Sequence, residues 1–218
     1  MKKLAIIFTA IAVLAGCQKE GALQTNADHV TIFPQDKHTI TSNGTNVSFS
    51  SQNPFVASVN STTGQVTGLH IGETYIDILA DQGTAKVKVT VKPKYNIITD
   101  PYIAWGATQS QILDKVGKEP MEEDEDTIMY LYGDANKGDS HIGTNYVFKS
   151  GKLSSIMIVI NKVFYADAIL HLAERFQYVG EKSGTIVYGE AIQESEMNTL
   201  VSISQILGQY VILYTPKQ

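Results

Sequence analysis

Residues 53 to 69 read NPFVASVNSTTGQVTGL, and this stretch contains no charged side chain. Its apolar residues Val56, Val59 and Val66 stand in short runs, and turn-forming residues such as Pro54 and Gly64 separate these runs. Short runs rich in β-branched residues between turn-forming residues are typical of strands. The stretch therefore predicts closely spaced β-strands joined by tight turns.

The same pattern extends outward from His29 to Lys92, where the sequence shows no helical period. The clearest run is Ala85–Lys92, in which apolar residues alternate strictly with Lys or Thr, as in a half-buried antiparallel strand. Turn-forming residues recur about every 8–12 residues, a spacing typical of a β-sandwich or barrel. Residues 28–93 are therefore predicted to form one all-β domain.

Four segments of this region resemble the bacterial Ig-like group 2 domain. They are Ser51–Val59, Thr63–Leu69, Gly72–Ile76 and Val87–Val91. The resemblance implies an Ig-like β-sandwich with Val56, Val59 and Val66 in the core and tight reversals at Gly64 and Gly68. Domains of this family occur in surface adhesins of the invasin and intimin kind, and also as spacers in unrelated surface proteins. The sequence leaves both functions open.

An apolar run of 13 residues, Leu4–Gly16, follows two lysines near the N-terminus. It is shorter than the roughly 20 residues that span a bilayer, so it predicts a secretory signal peptide over residues 1–16. The run ends in Leu-Ala-Gly followed by Cys17, which is the only cysteine of the chain. This ending resembles the lipobox of bacterial lipoproteins, which implies cleavage before Cys17 and acylation of Cys17, for example with palmitate.

Residues 17–27 are then a tether between a lipid anchor and the first domain. Gln18, in place of Asp, is compatible with an outer-membrane destination in a Gram-negative cell, and Lys19 and Glu20 resemble a surface-export signal. The cell surface and the periplasmic face both stay open. Loss of the leader lowers the basic residues from 17 to 15 against 22 acidic ones, so the net charge changes from −5 to −7. This charge argues against nucleic acid as a partner.

The pattern changes after residues 92–94, a Lys-Pro-Lys linker that is expected to have few contacts. Helical periodicity predicts two helices, Gln109–Gly117 with Thr108 as N-cap and Tyr165–Phe176. Six strands are predicted at Thr127–Tyr132, Asn145–Lys149, Leu153–Asn161, Gly184–Gly189, Asn198–Ile206 and Gln209–Thr215. We therefore expect an α+β domain over residues 94–218, an antiparallel sheet with both helices on one face. Its two similar halves indicate an internal duplication.

The first helix carries a second resemblance. Residues Trp105–Ile112, followed by Val116–Pro120, resemble the Gly-x-Thr, helix, Leu-Gly-x-Pro opening of outer-membrane lipoprotein domains of the small protein A type. An extra residue before Pro120 departs from that pattern. The resemblance implies an α+β fold, and a function in outer-membrane assembly is not carried over from it.

Candidate catalytic and metal sites are few. The sequence contains no Gly-x-Ser-x-Gly elbow, no phosphate-binding glycine loop and no His-Glu-x-x-His helix. His171 and Glu174 share a helix face, but two ligands without a third make a poor zinc site. The acidic run 119–126 and the segment Asp134–Asp139, which resembles a calcium loop with two positions exchanged, are interpreted as solvated loops. We expect no metal and no cofactor.

Ten of the eleven tyrosines lie beyond Pro93. Strand alternation allows several of them to share one face of the sheet. The candidate ligand-binding residues are Tyr130, Tyr132, Tyr146, Tyr188 and Tyr214. If the helices cover that face, these tyrosines belong to the core. If the face is open, they form an aromatic surface for a glycan or protein ligand.

The sequence thus leads to three functional hypotheses. The first is a non-enzymatic envelope lipoprotein, in which the Ig-like module presents a C-terminal recognition domain to a glycan or protein ligand. The second is an adhesin that binds through the Ig-like domain itself. The third is a hydrolase that uses acidic residues of the C-terminal domain. The oligomeric state is not predicted.

Overall fold

The computed structural model describes residues 22–217. The predicted signal peptide and Cys17 lie outside these residues. The described part of the chain folds into two β-rich domains. No helix in this part is both long enough and apolar enough to cross a membrane.

The first domain is a sandwich of two sheets. Its strands are β1 His29–Ile32, β2 Lys37–Thr39, β3 Ser48–Ser51, β4 Ala57–Val59, β5 Gln65–Gly68, β6 Gly72–Ala80 and β7 Gly83–Val91. One sheet has the order β1-β7-β6-β3 and the other the order β2-β5-β4, with β1 and β7 parallel. Val66, Val87 and Val89 are fully buried between the sheets, so the alternating pattern does place branched residues in the core. This confirms the predicted Ig-like sandwich.

Two glycines in the opening stretch have different roles. Gly64 has a φ of 67°, and a Cβ there would lie 2.2 Å from the carbonyl oxygen of Ile40. Residues with a side chain rarely adopt this conformation, so the turn before β5 requires glycine. Gly68 lies at the end of a strand rather than at the expected reversal. Glycine is required there because a Cβ would lie 2.6 Å from the carbonyl oxygen of Phe33.

The second domain is one antiparallel sheet with two helices. Its elements are α1 Gln109–Val116, β8 Glu122–Glu123, β9 Thr127–Leu131, β10 His141–Lys149, β11 Lys152–Ile160, α2 Tyr165–Ala173, β12 Gln177–Lys182, β13 Thr185–Gly189, β14 Thr199–Ile206 and β15 Gln209–Pro216, with single 3₁₀ turns at Ala135–Lys137, Lys162–Phe164 and Glu194–Glu196. The predicted α+β class is confirmed. The predicted order of helix, three strands, helix, three strands misses two strands of the observed sheet. These are β8, which has only two residues, and β12, whose residues do not alternate between buried and exposed.

The strand order relates the two halves of the second domain. The sheet reads β12-β13-β14-β15-β11-β10-β9-β8, so each helix is followed by a four-stranded meander. The last strands of the two meanders, β11 and β15, pair with each other at the centre, where Ile158 lies opposite Ile212. A two-fold relation between halves brings equivalent strands together in an antiparallel pair. The topology therefore supports the predicted internal duplication.

Both helices pack on the same face of this sheet. Thr108 caps α1 in a capping box with Gln111, and the helix ends at Gly117, which confirms the predicted start and end. Ile112 of α1 and Leu172 of α2 are fully buried in one core with the inward residues of the sheet. The face beneath the helices is therefore closed to solvent.

Candidate functional site

The candidate tyrosines do not form an exposed surface. Tyr130, Tyr146, Tyr188 and Tyr214 are at most 2% exposed and belong to the core beneath the helices. Burial raises the pKa of Tyr146 and of Tyr188 to about 12. Since α1 and α2 cover this face of the sheet, the prediction that these four residues bind a ligand on an open face is wrong.

Tyr132 is half-buried and differs from the other four. Its ring stacks on the ring of His141 with centroids 4.2 Å apart, and Nζ of Lys118 lies 4.0 Å from its centroid. Lys118 also donates a hydrogen bond to the carbonyl oxygen of Leu131. The ring of Tyr132 is thus engaged in packing and a cation–π contact within the domain rather than free for a ligand.

The acidic run 119–126 contains β8 and the loop after it, and Asp134–Asp139 contains a 3₁₀ turn. Oδ1 of Asp124 accepts hydrogen bonds from the N–H groups of Asp126 and Thr127, and these bonds lower the pKa of Asp124. Oδ2 of Asp139 accepts from the N–H of Asp134 at 2.9 Å. No group of three or more potential ligands within the described residues is placed to hold a metal ion. These carboxylates stabilise the backbone of their own loops.

The end of α2 holds the linker between the two domains. Glu174 is 6% exposed. The N–H of Lys94 donates to both of its carboxylate oxygens, at 3.1 and 3.0 Å, and the N–H of Tyr95 donates to Oε2 at 3.0 Å. Backbone donors satisfy a carboxylate that burial would otherwise destabilise. We call Glu174 and the N–H groups of Lys94 and Tyr95 the linker clamp.

Contacts around the linker clamp extend to the Ig-like domain. The N–H of Ile71, in the loop between β5 and β6, donates to the main-chain oxygen of Glu174 at 2.7 Å. Nζ of Lys94 donates to the carbonyl oxygen of Pro34 at 3.3 Å and to Asp36 at 3.2 Å. The Lys94–Asp36 pair is about half exposed and contributes little, so the buried Glu174 provides most of the restraint. The expectation of few linker contacts is therefore wrong.

A second buried charge lies next to the linker clamp. Arg175 is 9% exposed, and it donates from Nε to both oxygens of Asp100 and from Nη1 to the carbonyl oxygens of Tyr95 and His171. Burial raises the pKa of Asp100, but the hydrogen bond with His171 and the charge of Arg175 outweigh this effect and leave it below its usual value. His171 and Glu174 thus bind different partners and do not act as a pair.

His141 on β10 is buried in its neutral form. Its Nδ1 accepts a hydrogen bond from the N–H of Thr99 at 3.2 Å, because a backbone N–H can only donate. Its Nε2 then carries the proton and donates to Oγ1 of Thr144 at 2.9 Å. Burial lowers the pKa of His141 to about 4. Protonation would place a second proton on Nδ1 and remove the bond from Thr99.

We expect the second domain to lose stability as the pH falls below about 6.5, where histidine in the unfolded chain binds a proton. The folded pKa of His141 is lower, so its contribution is complete above that pH and falls by up to about 1.4 kcal/mol per pH unit below it. Urea unfolding at several pH values, followed by the emission of Trp105, measures the slope. The His141→Gln chain keeps one donor and one acceptor and should show a flatter profile, and equal slopes would contradict the assignment.

A surface groove lies between α1 and the segment before it. Its volume is about 410 Å³, and its lining consists of Tyr102, Ala104, Trp105, Gly106, Ala107, Gln111, Asp114 and Lys115. Trp105 packs against the core and donates from Nε1 to Oγ1 of Thr199 at 3.0 Å, while Tyr102 is 41% exposed. Apart from its two chain neighbours, no residue has an atom within 4 Å of the place that a Cβ of Gly106 would take, so the space there is open. We call it the Trp105 groove.

The sequence-based site prediction includes neither the linker clamp nor the Trp105 groove. For the groove a signal was present, because Trp105 is the only tryptophan and Tyr102 lies three residues before it. For Glu174 no local signal exists, since its partner Lys94 lies 80 residues away in the chain. Only the packing of α2 against the linker brings them together.

The chain shows a weak likeness to solved bacterial surface proteins. Domains 5–6 of the S-layer protein SbsC are 15% identical, with 90% of this chain and 84% of that chain covered and a TM-score of 0.28. Domains 4–9 of SbsC are 14% identical, with 91% and 27% covered and a TM-score of 0.29. A 282-residue C-terminal fragment of intimin, in complex with the intimin-binding domain of its translocated receptor, is 15% identical, with 84% and 58% covered and a TM-score of 0.26. No functional conclusion is drawn from likeness at these scores.

No match was found among curated proteins. A match to a protein family exists within the first domain, where residues 33–91 match the bacterial Ig-like domain (group 2). The matched residues run from just after β1 to the end of β7 and so include six of the seven strands of the sandwich. The first domain is therefore a bacterial Ig-like domain of group 2, as its sequence predicts.

Proposed function

We propose that the protein is a non-enzymatic lipoprotein of the bacterial cell envelope. In this proposal the Ig-like domain holds the second domain in a fixed orientation, and the second domain recognises a glycan or protein ligand. The observation that carries the proposal is the linker clamp. Domains joined by an exposed linker move relative to each other by default, and buried hydrogen bonds at the junction oppose that motion.

One residue contacts both sides of the junction. The main-chain oxygen of Glu174 binds Ile71 of the Ig-like domain, and its carboxylate binds the backbone of Lys94 at the start of the second domain. Rotation of one domain against the other would break the Ile71 bond and pull the linker away from the carboxylate of Glu174, at a cost of about 1–3 kcal/mol for each buried group left without a partner. A fixed orientation suits a protein that must keep a binding surface directed away from its anchor.

The lipid anchor at Cys17 is part of the same proposal, with Gln18 supporting the outer membrane as its destination. We expect Cys17→Ser to abolish the incorporation of labelled palmitate, because the thiol that carries the lipid is removed. Metabolic labelling of cells that produce either form measures the change, and a Thr25→Ser chain serves as the control. Undiminished labelling of the Cys17→Ser chain would show that the lipid is attached elsewhere, and absence of labelling in both forms would show that no lipid is attached.

Glycan and peptide arrays test whether the protein recognises a ligand. The purified chain should be retained by a defined subset of array members and should release them chemically unchanged. Mass spectrometry of the eluted members detects any turnover. Retention without turnover supports a binding protein, whereas hydrolysis of any retained member would contradict the non-enzymatic function and favour the hydrolase hypothesis.

A further inference from the structure

We infer that the Trp105 groove binds a neutral oligosaccharide. The inference rests on the proposed function, because it names the ligand class and the site of the recognition domain. The groove lies entirely within the second domain, and its volume of about 410 Å³ is in the range of small-ligand sites. Its aromatic floor, polar rim and rigid frame each fit a sugar.

The aromatic residues of the groove fit the apolar face of a sugar ring. Trp105 packs against the core, and its one polar atom, Nε1, is bonded to Thr199. The part of its ring that lines the groove therefore offers a carbon surface. Tyr102 adds a second ring that is 41% exposed. A pyranose ring with equatorial hydroxyls has a flat C–H face, and such faces are attracted to the negative face of aromatic rings.

The polar residues of the rim fit the hydroxyl edge of the same ring. Asp114 and Lys115 are exposed on α1, and within residues 22–217 neither side chain has a hydrogen bond or ion pair. Oε1 of Gln111 accepts from the N–H of Thr108, which leaves the amide NH₂ as a donor. The rim therefore offers both acceptors and donors, as hydroxyl groups require.

The charges at the rim favour a ligand without net charge. Asp114 and Lys115 are neighbours in the chain and both line the groove, so an anion would meet the carboxylate and a cation would meet the ammonium group. Like charges brought together at a binding site reduce affinity for the wrong ligand. A neutral sugar can bond to both groups and leaves neither charge buried without a partner.

The frame of the groove is fixed before a ligand binds. The N–H of Tyr102 donates to the hydroxyl of Tyr146 at 3.1 Å, and the N–H of Gly106 donates to the carbonyl oxygen of Leu153 at 3.2 Å. The N–H of Leu153 donates to the carbonyl oxygen of Ala107 at 2.8 Å. These bonds tie the segment to the core of the sheet, so less conformational entropy is lost when a ligand binds.

Fluorescence titration tests the inference directly, because Trp105 is the only tryptophan of the chain and lines the groove, so a ligand bound there is expected to change its emission. The probes are chitotetraose, cellotetraose and maltotetraose, added to the full chain. We expect a saturable change in emission with at least one of them. Tyr102→Ala should weaken that binding by at least about tenfold, through the loss of one stacking ring.

Two further variants keep the test decisive. Tyr178→Ala removes a tyrosine that is 55% exposed on β12, away from the groove, and should leave the affinity unchanged. Asp114→Asn changes an exposed rim residue without affecting folding and should weaken binding by several-fold, through the loss of a charged acceptor. Thermal melts of all three variants confirm that the proteins remain folded.

The inference is overturned if none of the three sugars changes the emission at millimolar concentration, or if binding survives in both Tyr102→Ala and Asp114→Asn. After either result, the glycan and peptide arrays still test whether the protein is a non-enzymatic binding protein. Retention of peptides without sugars would reject only the saccharide inference, whereas turnover of an array member would reject the non-enzymatic function whatever the emission of Trp105 shows.

Discussion

Replacement of Tyr214 by alanine is expected to lower the free energy of unfolding of the second domain by about 3–5 kcal/mol, by analogy with other aromatic truncations in cores. Tyr214 is 1% exposed and lies opposite Ile156 on β11 and Val201 on β14. The ring of Phe176 meets it edge-on, with centroids 6.0 Å apart. Alanine would leave a cavity beneath the helices. Urea unfolding followed by the emission of Trp105 measures the loss.

Tyr214→Phe is the matched control for this change. The hydroxyl of Tyr214 has no hydrogen-bond partner among the described residues, so its removal keeps the packing and deletes a buried polar group. We expect the free energy of unfolding to stay within about 1 kcal/mol of the original or to rise. A loss for Tyr214→Ala as small as that for Tyr214→Phe would mean that Tyr214 is not a core residue.

Replacement of Glu174 by alanine is expected to cost about 2–3 kcal/mol, because the N–H groups of Lys94 and Tyr95 lose their acceptor. The main-chain bond from Ile71 can persist, since it does not involve the side chain. The loss should therefore appear both as reduced stability and as greater freedom between the domains. Urea unfolding measures the first effect, and limited proteolysis near Lys94 measures the second through faster cleavage.

Glu119→Ala is the control for Glu174→Ala, because Glu119 is an exposed glutamate of the same domain. Surface substitutions of this kind change stability by about 0.5 kcal/mol or less. If Glu174→Ala were as mild as Glu119→Ala and left the cleavage rate unchanged, the linker clamp would not restrain the junction.

Much of the fold follows from local patterns in the sequence. The alternation of Ala85–Lys92 predicts a strand that buries one face, and β7 contains all but the last of these residues. Val66 is buried on β5, whereas Val56 is buried in the turn before β4. Thr108 and Gly117 mark the ends of α1 because caps act through neighbouring backbone groups. The strands β8 and β12 have no such pattern, since edge strands bury little and need not alternate.

The sites are less predictable because they depend on contacts between distant residues. A period of two shows that Tyr130 and Tyr146 can share a face, but it does not show which face the helices cover. Only the packing of Ile112 and Leu172 decides that question, and it places these tyrosines in the core. The linker clamp depends likewise on how α2 packs, which no local property of Glu174 reveals.

The distance between the two domains tests the fixed orientation most directly. Cys17 is the only cysteine, so a full chain with Cys17→Ser, Ser50→Cys and Lys149→Cys carries one spin label on an exposed site of each domain. Pulsed electron paramagnetic resonance should give a single narrow distribution of label distances, and adding Glu174→Ala should broaden it. A distribution that is already broad with Glu174 in place, and that Glu174→Ala does not change, would contradict the rigid junction.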